Sequence, residues 1–126
     1  MLHRLILSLA FVSGVAWSAQ PWFPITNTAA RGLLLDTSSI HPTIDHQFEF
    51  DLKTIYPQAI APSGATERVA IAVTRYVMDC RHSRWFEKDT RYLTDEGKRA
   101  GGEVGKHEWQ SVETESEMGE VYSKVC

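Results

Sequence analysis

The chain has 126 residues, two of them cysteine, with 13 basic and 16 acidic side chains and a formal charge of −3 when histidine is neutral. That length is one small domain, and the lack of a basic excess argues against a nucleic-acid partner.

The N-terminus reads as a leader, not as part of the fold. Met1 to Arg4 is short and basic, Leu5 to Val15 is apolar apart from Ser8, Ser13 and Gly14, and small residues follow at Ala16, Ser18 and Ala19. This is the three-part layout of a secretory signal peptide over residues 1–19, with cleavage near residues 16–19. Its apolar core of about eleven residues is too short to cross a bilayer of roughly 30 Å as a helix. No cysteine near the cleavage region is available to carry a lipid. Residues 20–126 are therefore expected to form a single exported domain, periplasmic or extracellular, with neither a lipid anchor nor a transmembrane segment.

Gln20 to Thr26 carries Trp22, Phe23 and Ile25 together with Pro21 and Pro24, which suits a first or edge strand. Asn27 to Arg31 reads as a turn, and Gly32 to Asp36 as a short buried strand. Thr37 to Ile40, ahead of His41-Pro42, predicts a turn or one helical turn, because Asp, Thr and Ser side chains bond nearby backbone groups. From Asp45 to Tyr56 the pattern alternates: Phe48, Phe50 and Leu52 point one way, and Gln47, Glu49, Asp51 and Lys53 the other. That is a half-buried strand with one wet face. Pro57 to Thr66 predicts the longest loop.

Glu67 to Cys80 predicts the longest strand, central because both its faces are substantially apolar. Val69, Ile71, Val73 and Val77 lie on one face with Arg75; Ala70, Ala72, Thr74, Tyr76, Met78 and Cys80 lie on the other. Arg81 to Ser83 reads as a tight turn. Arg84 to Thr94 follows as a strand whose polar middle implies exposure or a bulge. Asp95 to Arg99 is a turn, and Gly101 to Val104 opens a short last strand. In Thr114 to Cys126, Met118, Val121, Tyr122 and Val125 recur at the spacing of one apolar helix face. Thr114 and Glu117 form a Thr-x-x-Glu capping box to start that helix.

Two cysteines in an exported chain are most simply one disulfide, Cys80 to Cys126. Closing so long a loop is worth about 4 kcal/mol by chain entropy. The disulfide would latch the terminal helix to the sheet across the small side chains Ala70, Ala72 and Thr74.

Five features in order carry a resemblance. They are Trp22; Asp36-Thr37-Ser38-Ser39-Ile40; Asp79-Cys80 followed by Arg81 and Arg84; a glycine-containing turn leading to Trp109-Gln110-Ser111-Val112; and the terminal Val125-Cys126. Over residues 22–126 the chain resembles the surface-adhesin E family of small exported bacterial proteins. The resemblance implies an α+β fold: an antiparallel β-sheet of about six strands with a C-terminal α-helix packed on one face and tethered by a disulfide. It further implies binding of protein partners, host matrix or plasma proteins such as vitronectin, laminin and plasminogen, and self-association into a homodimer. The matched residues are scaffold residues, so they carry the fold further than the adhesive role.

No catalytic centre is legible, and the chain reads as a non-enzymatic binding module without a cofactor. Ser38 and Ser39 beside Asp36 lack a nucleophile elbow and read as turn formers. Gly101 to Lys106 is glycine-rich without phosphate-loop spacing. His41 and His46 with Asp45 are close in sequence, but as solvated polar residues rather than metal ligands. One binding patch stands out: Arg81, Arg84, Lys88 and Arg91 interleave with Trp85, and arginine and aromatics are enriched at interfaces. With a helix over one sheet face, binding would use the other face, the edges or the loops. The alternative reading is a periplasmic or envelope structural or accessory protein with no adhesive role.

Overall fold

The computed structural model describes residues 22–126, so the expected signal peptide lies outside the described residues. In chain order the elements are β1 (Trp22–Asn27), β2 (Gly32–Pro42), β3 (Gln47–Ile60), β4 (Val69–Asp79), β5 (Arg84–Leu93), β6 (Arg99–Val104), β7 (Gln110–Ser111) and α1 (Glu117–Val125). All pairings are antiparallel, and the sheet runs β1-β2-β3-β4-β5-β6, each strand beside its predecessor. β4 is central, as its two apolar faces predict, but with 11 residues it is not the longest strand; β3, extended past its bulge, has 14. β5 changes partner along its length: β6 pairs with its second half, while β7 pairs with Arg84 and Trp85.

Two expected breaks turn out to be bulges inside longer strands, and an expected bulge is present. Asp36 faces Asp51 and His41 faces Glu49, so β2 carries extra residues between them. The Asp-Thr-Ser-Ser turn chemistry is present, but it serves the sheet. Asp36 Oδ1 accepts from the Ser38 amide and hydroxyl, and the Ser39 hydroxyl accepts from the Asp51 amide across the bulge. Likewise, β3 does not end at Tyr56. It continues to Ile60, with a register break between Ile55 and Ile60 that accommodates Pro57, where a missing amide hydrogen leaves no gap in a regular ladder. The third bulge, between Arg75 and Tyr76 on β4, places Lys88 as the extra residue of β5. That is the polar middle of Arg84–Thr94.

Cross-strand register assigns the two faces. Leu33, Leu35, Phe50, Leu52, Tyr76, Met78 and Trp85 share one, by the pairs Leu35–Leu52, Phe48–Met78, Phe50–Tyr76 and Met78–Trp85 and by alternation along each strand. The buried cluster is Leu33, Leu35, Phe50, Leu52 and Met78 with Val121 and Val125 of α1. Met118 and Tyr122 pack against it, so the helical stripe read from the sequence is the stripe that is buried. A second, smaller cluster of Val69, Ala72, Tyr92 and Ala100 fills the far end of the sheet.

α1 lies against β1 and is tied by the disulfide Cys80–Cys126, with the two Cα atoms 5.7 Å apart. Disulfides persist in oxidising compartments, which accords with a non-cytoplasmic setting. Tyr122 adds a second tie that the sequence did not announce: its hydroxyl donates to the Cys80 carbonyl at 2.8 Å. Two local expectations need correction. The helix is capped by Ser116, which accepts from the Gly119 amide at 3.0 Å, not by Thr114. Glu117 is instead drawn to a distant partner, Arg31, at 2.7 Å, so it does not reach back to close a capping box. The latch also does not cross Ala70, Ala72 and Thr74: Ala72 belongs to the second cluster, and the helix reaches Leu35, Phe50 and Met78. A nine-residue helix is only about 13 Å long and cannot extend from Cys80 to Ala72. Among the described residues no helix is long and apolar enough to cross a membrane.

Candidate functional site

Where α1 stops, the strands that carry the core continue and leave a cleft of about 740 Å³. Leu33 and Leu52 line it from β2 and β3, Tyr76 and Trp85 from β4 and β5, and Met118 from the first turn of α1. Alternation along the strands puts these side chains on one surface. Tyr76 is held rigidly: its ring stacks on Phe50 with centroids 5.8 Å apart, and Trp85 meets it edge-on at 5.6 Å. Such ring pairs add about 0.5–1.5 kcal/mol beyond area burial. Burial first, and the Glu87 carboxylate next, hold the Tyr76 hydroxyl well above the usual phenol range. It titrates in no physiological setting and remains a neutral donor and acceptor.

The rim is polar. Arg31, from the β1–β2 turn, spans to both carboxylate oxygens of Glu117 at 2.7 Å, and the Thr26 hydroxyl donates to the same carboxylate at 2.7 Å. Burial pushes the Glu117 carboxyl up, but the Arg31 and Thr26 hydrogen bonds outweigh it, and the group stays below its ordinary range. Thr54, Tyr56, Gln110, Ser111 and Glu113 complete the rim. Their side chains have no hydrogen-bond partner among the described residues, so donors and acceptors face the opening unspent. A cleft of this size, with an apolar floor and a few convergent polar groups, is the usual form of a ligand site.

The proposed patch divides. Arg84, Lys88 and Arg91 fall on the face opposite the cleft, whereas Trp85 points into the cleft; Arg81 sits in the β4–β5 turn. Each cation has a carboxylate partner: Arg81 with Asp45 at 3.3 Å, Arg84 with Asp79 at 2.9 Å, Lys88 with Glu49 at 3.0 Å and Arg91 with Asp51 at 3.6 Å. Arg75 joins this ladder, 3.0 Å from Asp51, a bond that raises its already high pKa. The wet face expected of β3 is therefore an ion-pair ladder, in which Asp51 is buried. Arg84 also lies over the Trp109 ring at 4.2 Å, and Trp109 meets Phe86 edge-on at 4.7 Å.

Asp79 shows how tightly this chemistry is used for structure. It is 2 % exposed and accepts from the Arg81 and His82 amides, the His82 ring and Arg84. Burial pushes its carboxyl up, yet the Arg84 and His82 hydrogen bonds win and bring it down to about 2. The other histidines go elsewhere. The His41 ring is bonded to the Ser39 carbonyl, the His107 ring to the Lys88 carbonyl, and His46 stands 3.8 Å from Asp45. Among the described residues no three His, Cys, Asp or Glu side chains gather as a metal site.

Part of the cleft was within reach of sequence reasoning. The alternation Arg84-Trp85-Phe86 separates Trp85 from its cationic neighbours, and the alternation of β3 and β4 puts Leu52 and Tyr76 on the faces they occupy. Arg31, Gln110 and Glu117 carry no such signal, because they come from turns and ends joined only by the fold. No family model matches the chain, and comparison with the curated proteins finds no relative.

Proposed function

We propose that the chain is an exported, non-enzymatic binding module of the surface-adhesin E type, and that it holds a segment of a protein partner in the cleft beside α1. The observation that carries this reading is the cleft itself: an aromatic and aliphatic floor with a rim of unspent hydrogen-bonding groups, Thr54, Tyr56, Gln110, Ser111 and Glu113. A protein segment needs both, apolar space for a side chain and partners for its peptide groups. In this reading α1 packs on one face of the sheet as a short lid. It shields the disulfide end and leaves the rest of that face for the partner, instead of closing it to binding. The resemblance in the scaffold residues supplies the class of partner: host matrix and plasma proteins such as vitronectin, laminin and plasminogen.

The test uses the mature, oxidised protein immobilised against those three proteins and against an envelope extract. Thr54→Arg puts a bulky charged side chain into the cleft; Thr54 lies opposite Leu33 of the core cluster, so circular dichroism of the variant accompanies the capture measurement. Capture that Thr54→Arg abolishes supports the cleft; capture that it leaves intact removes the cleft from the function. Cell fractionation decides the setting, since a protein found strictly in the periplasm cannot meet a host and would be an envelope accessory protein instead.

A further inference from the structure

Some carboxylates of this protein are matched by cations; others, such as Asp89, have no ion pair among the described residues. On the face carrying Arg75, Lys88 and Arg91, the carboxylates Glu49 and Asp51 are matched by cations within 4.0 Å. Around the cleft the balance is different. A second cleft of about 350 Å³ adjoins the first and shares Gln110 with it; Glu87, Glu103 and Glu108 line it. With Glu113 and Glu117 of the first cleft, five carboxylates line the pair, against two cations, Arg31 and Lys106. Arg31 is consumed by Glu117, and among the described residues no ion pair engages Glu87, Glu103, Glu108 or Glu113. Glu103 accepts from the Tyr92 hydroxyl, which leaves its charge uncompensated.

The aromatic rings divide in the same way. Lys53 lies over Trp22 at 4.1 Å, Arg84 over Trp109 at 4.2 Å and Lys124 over Phe23 at 4.5 Å. Tyr76 and Trp85, the rings of the cleft, carry no cation from the chain among the described residues. The sheet register places Glu87, which accepts from the Thr90 hydroxyl but has no ion pair among the described residues, opposite Tyr76, whose ring stacks on Phe50 and carries no cation. Carboxylates and aromatic ring faces together attract one ligand class, an organic cation with an apolar stem.

We propose that the partner segment held in the cleft presents a lysine or arginine side chain, its stem against Tyr76 and Trp85 and its charge answering Glu87 and Glu113. This rests on the reading of the cleft as a protein-binding site and names the chemistry of the segment. The charge complementarity also sets its dependence on ionic strength: rim charges act mainly on the association rate and are screened by salt.

The experiment titrates the isotope-labelled oxidised protein with hexalysine, hexaglutamate, a neutral Gly-Ser hexapeptide and spermine. Chemical shifts of Tyr76, Trp85 and Gln110 are followed. The expected result is that hexalysine alone among the peptides shifts these residues. Its affinity should fall about tenfold or more in Glu87→Gln/Glu113→Gln and remain unchanged in Glu96→Gln, a turn carboxylate away from the clefts. Hexalysine that shifts other residues instead, or that binds the double variant equally well, overturns the proposal. So does the Gly-Ser peptide binding as tightly at the same residues, and so does spermine outcompeting hexalysine there, which would make the occupant a free polyamine. None of these outcomes touches the capture experiment with Thr54→Arg, so the cleft reading stands or falls separately from the charge of its ligand.

Discussion

Two neighbouring regions of one sheet face use the same kinds of side chain and come to opposite outcomes. At the Cys80 end, Leu35, Phe50 and Met78 are completely buried, and the helix, the disulfide and the Tyr122 hydroxyl converge there. Directly opposite them in the register, or two residues along the same strand, Leu33, Leu52, Tyr76 and Trp85 line a cleft, with Leu33 and Leu52 still part of the buried cluster. The difference is the length of α1. Its C-terminus is anchored by Cys126, its N-terminus by Glu117 on Arg31 and Thr26, and nine residues between them cannot cover the whole surface. A short, doubly anchored helix therefore makes both a rigid core and a permanent opening.

The strongest way to break this comparison is at the latched end. Phe50→Ala should lower stability by about 3–5 kcal/mol, because Phe50 is fully buried and stacks on Tyr76. Urea denaturation checks it, and a loss under 1 kcal/mol would mean that this end is not the core. Next is the latch. Cys126→Ser, or added reductant, should cost about 2–4 kcal/mol, read as a lower urea midpoint than the oxidised protein. Identical midpoints with and without reductant would show that Tyr122 and the apolar stripe hold the helix unaided.

Acid should act on the same end. Asp79 has a folded-state pKa depressed to about 2 from an ordinary value of 3.8. Its contribution is complete above pH 4 and is lost as pH falls towards 2, to the amount of about 2 kcal/mol. Asp79→Asn should remove that part of the acid dependence of the thermal midpoint, and an unchanged acid profile would assign the dependence to other groups. Smaller still is the helix N-terminus. The Arg31–Glu117 pair is more than a third exposed, so Glu117→Gln should cost about 0.5–1 kcal/mol. Its effect should shrink at high salt. In the cleft, Thr54→Arg should cost about 0.5–1 kcal/mol, because Thr54 is half-buried opposite Leu33, while abolishing partner capture. A large loss of stability there would make the cleft part of the core after all.

How much was legible follows from which interactions are local. The alternation of Phe48-Phe50-Leu52 and of Val69 to Cys80 encodes strand faces, because side chains in a strand point alternately to either side. The stripe Met118-Val121-Tyr122-Val125 encodes the buried side of α1 for the same kind of reason. Breaks were harder. Asp36 to Ser39 and Pro57 carry turn chemistry, and the sequence cannot say whether such chemistry ends a strand or kinks it. A neighbouring strand that keeps pairing past the irregularity decides that. The cap of α1 is not legible locally because Glu117 has two candidate roles, and the stronger partner, Arg31, is 86 residues away.

By itself, then, the sequence determined the alternating faces of β3 and β4, the terminal helix and its stripe, and the pairing of its two cysteines. Each of these depends on residue spacing or on a choice with one solution. Only the tertiary structure decided where the helix stops on the sheet, which side of β5 each patch residue occupies, and which carboxylates find a cation. Those outcomes depend on distances between segments far apart in the chain. The cleft belongs to this second group, since it is bounded by a turn, a two-residue strand and a helix end that no periodicity connects.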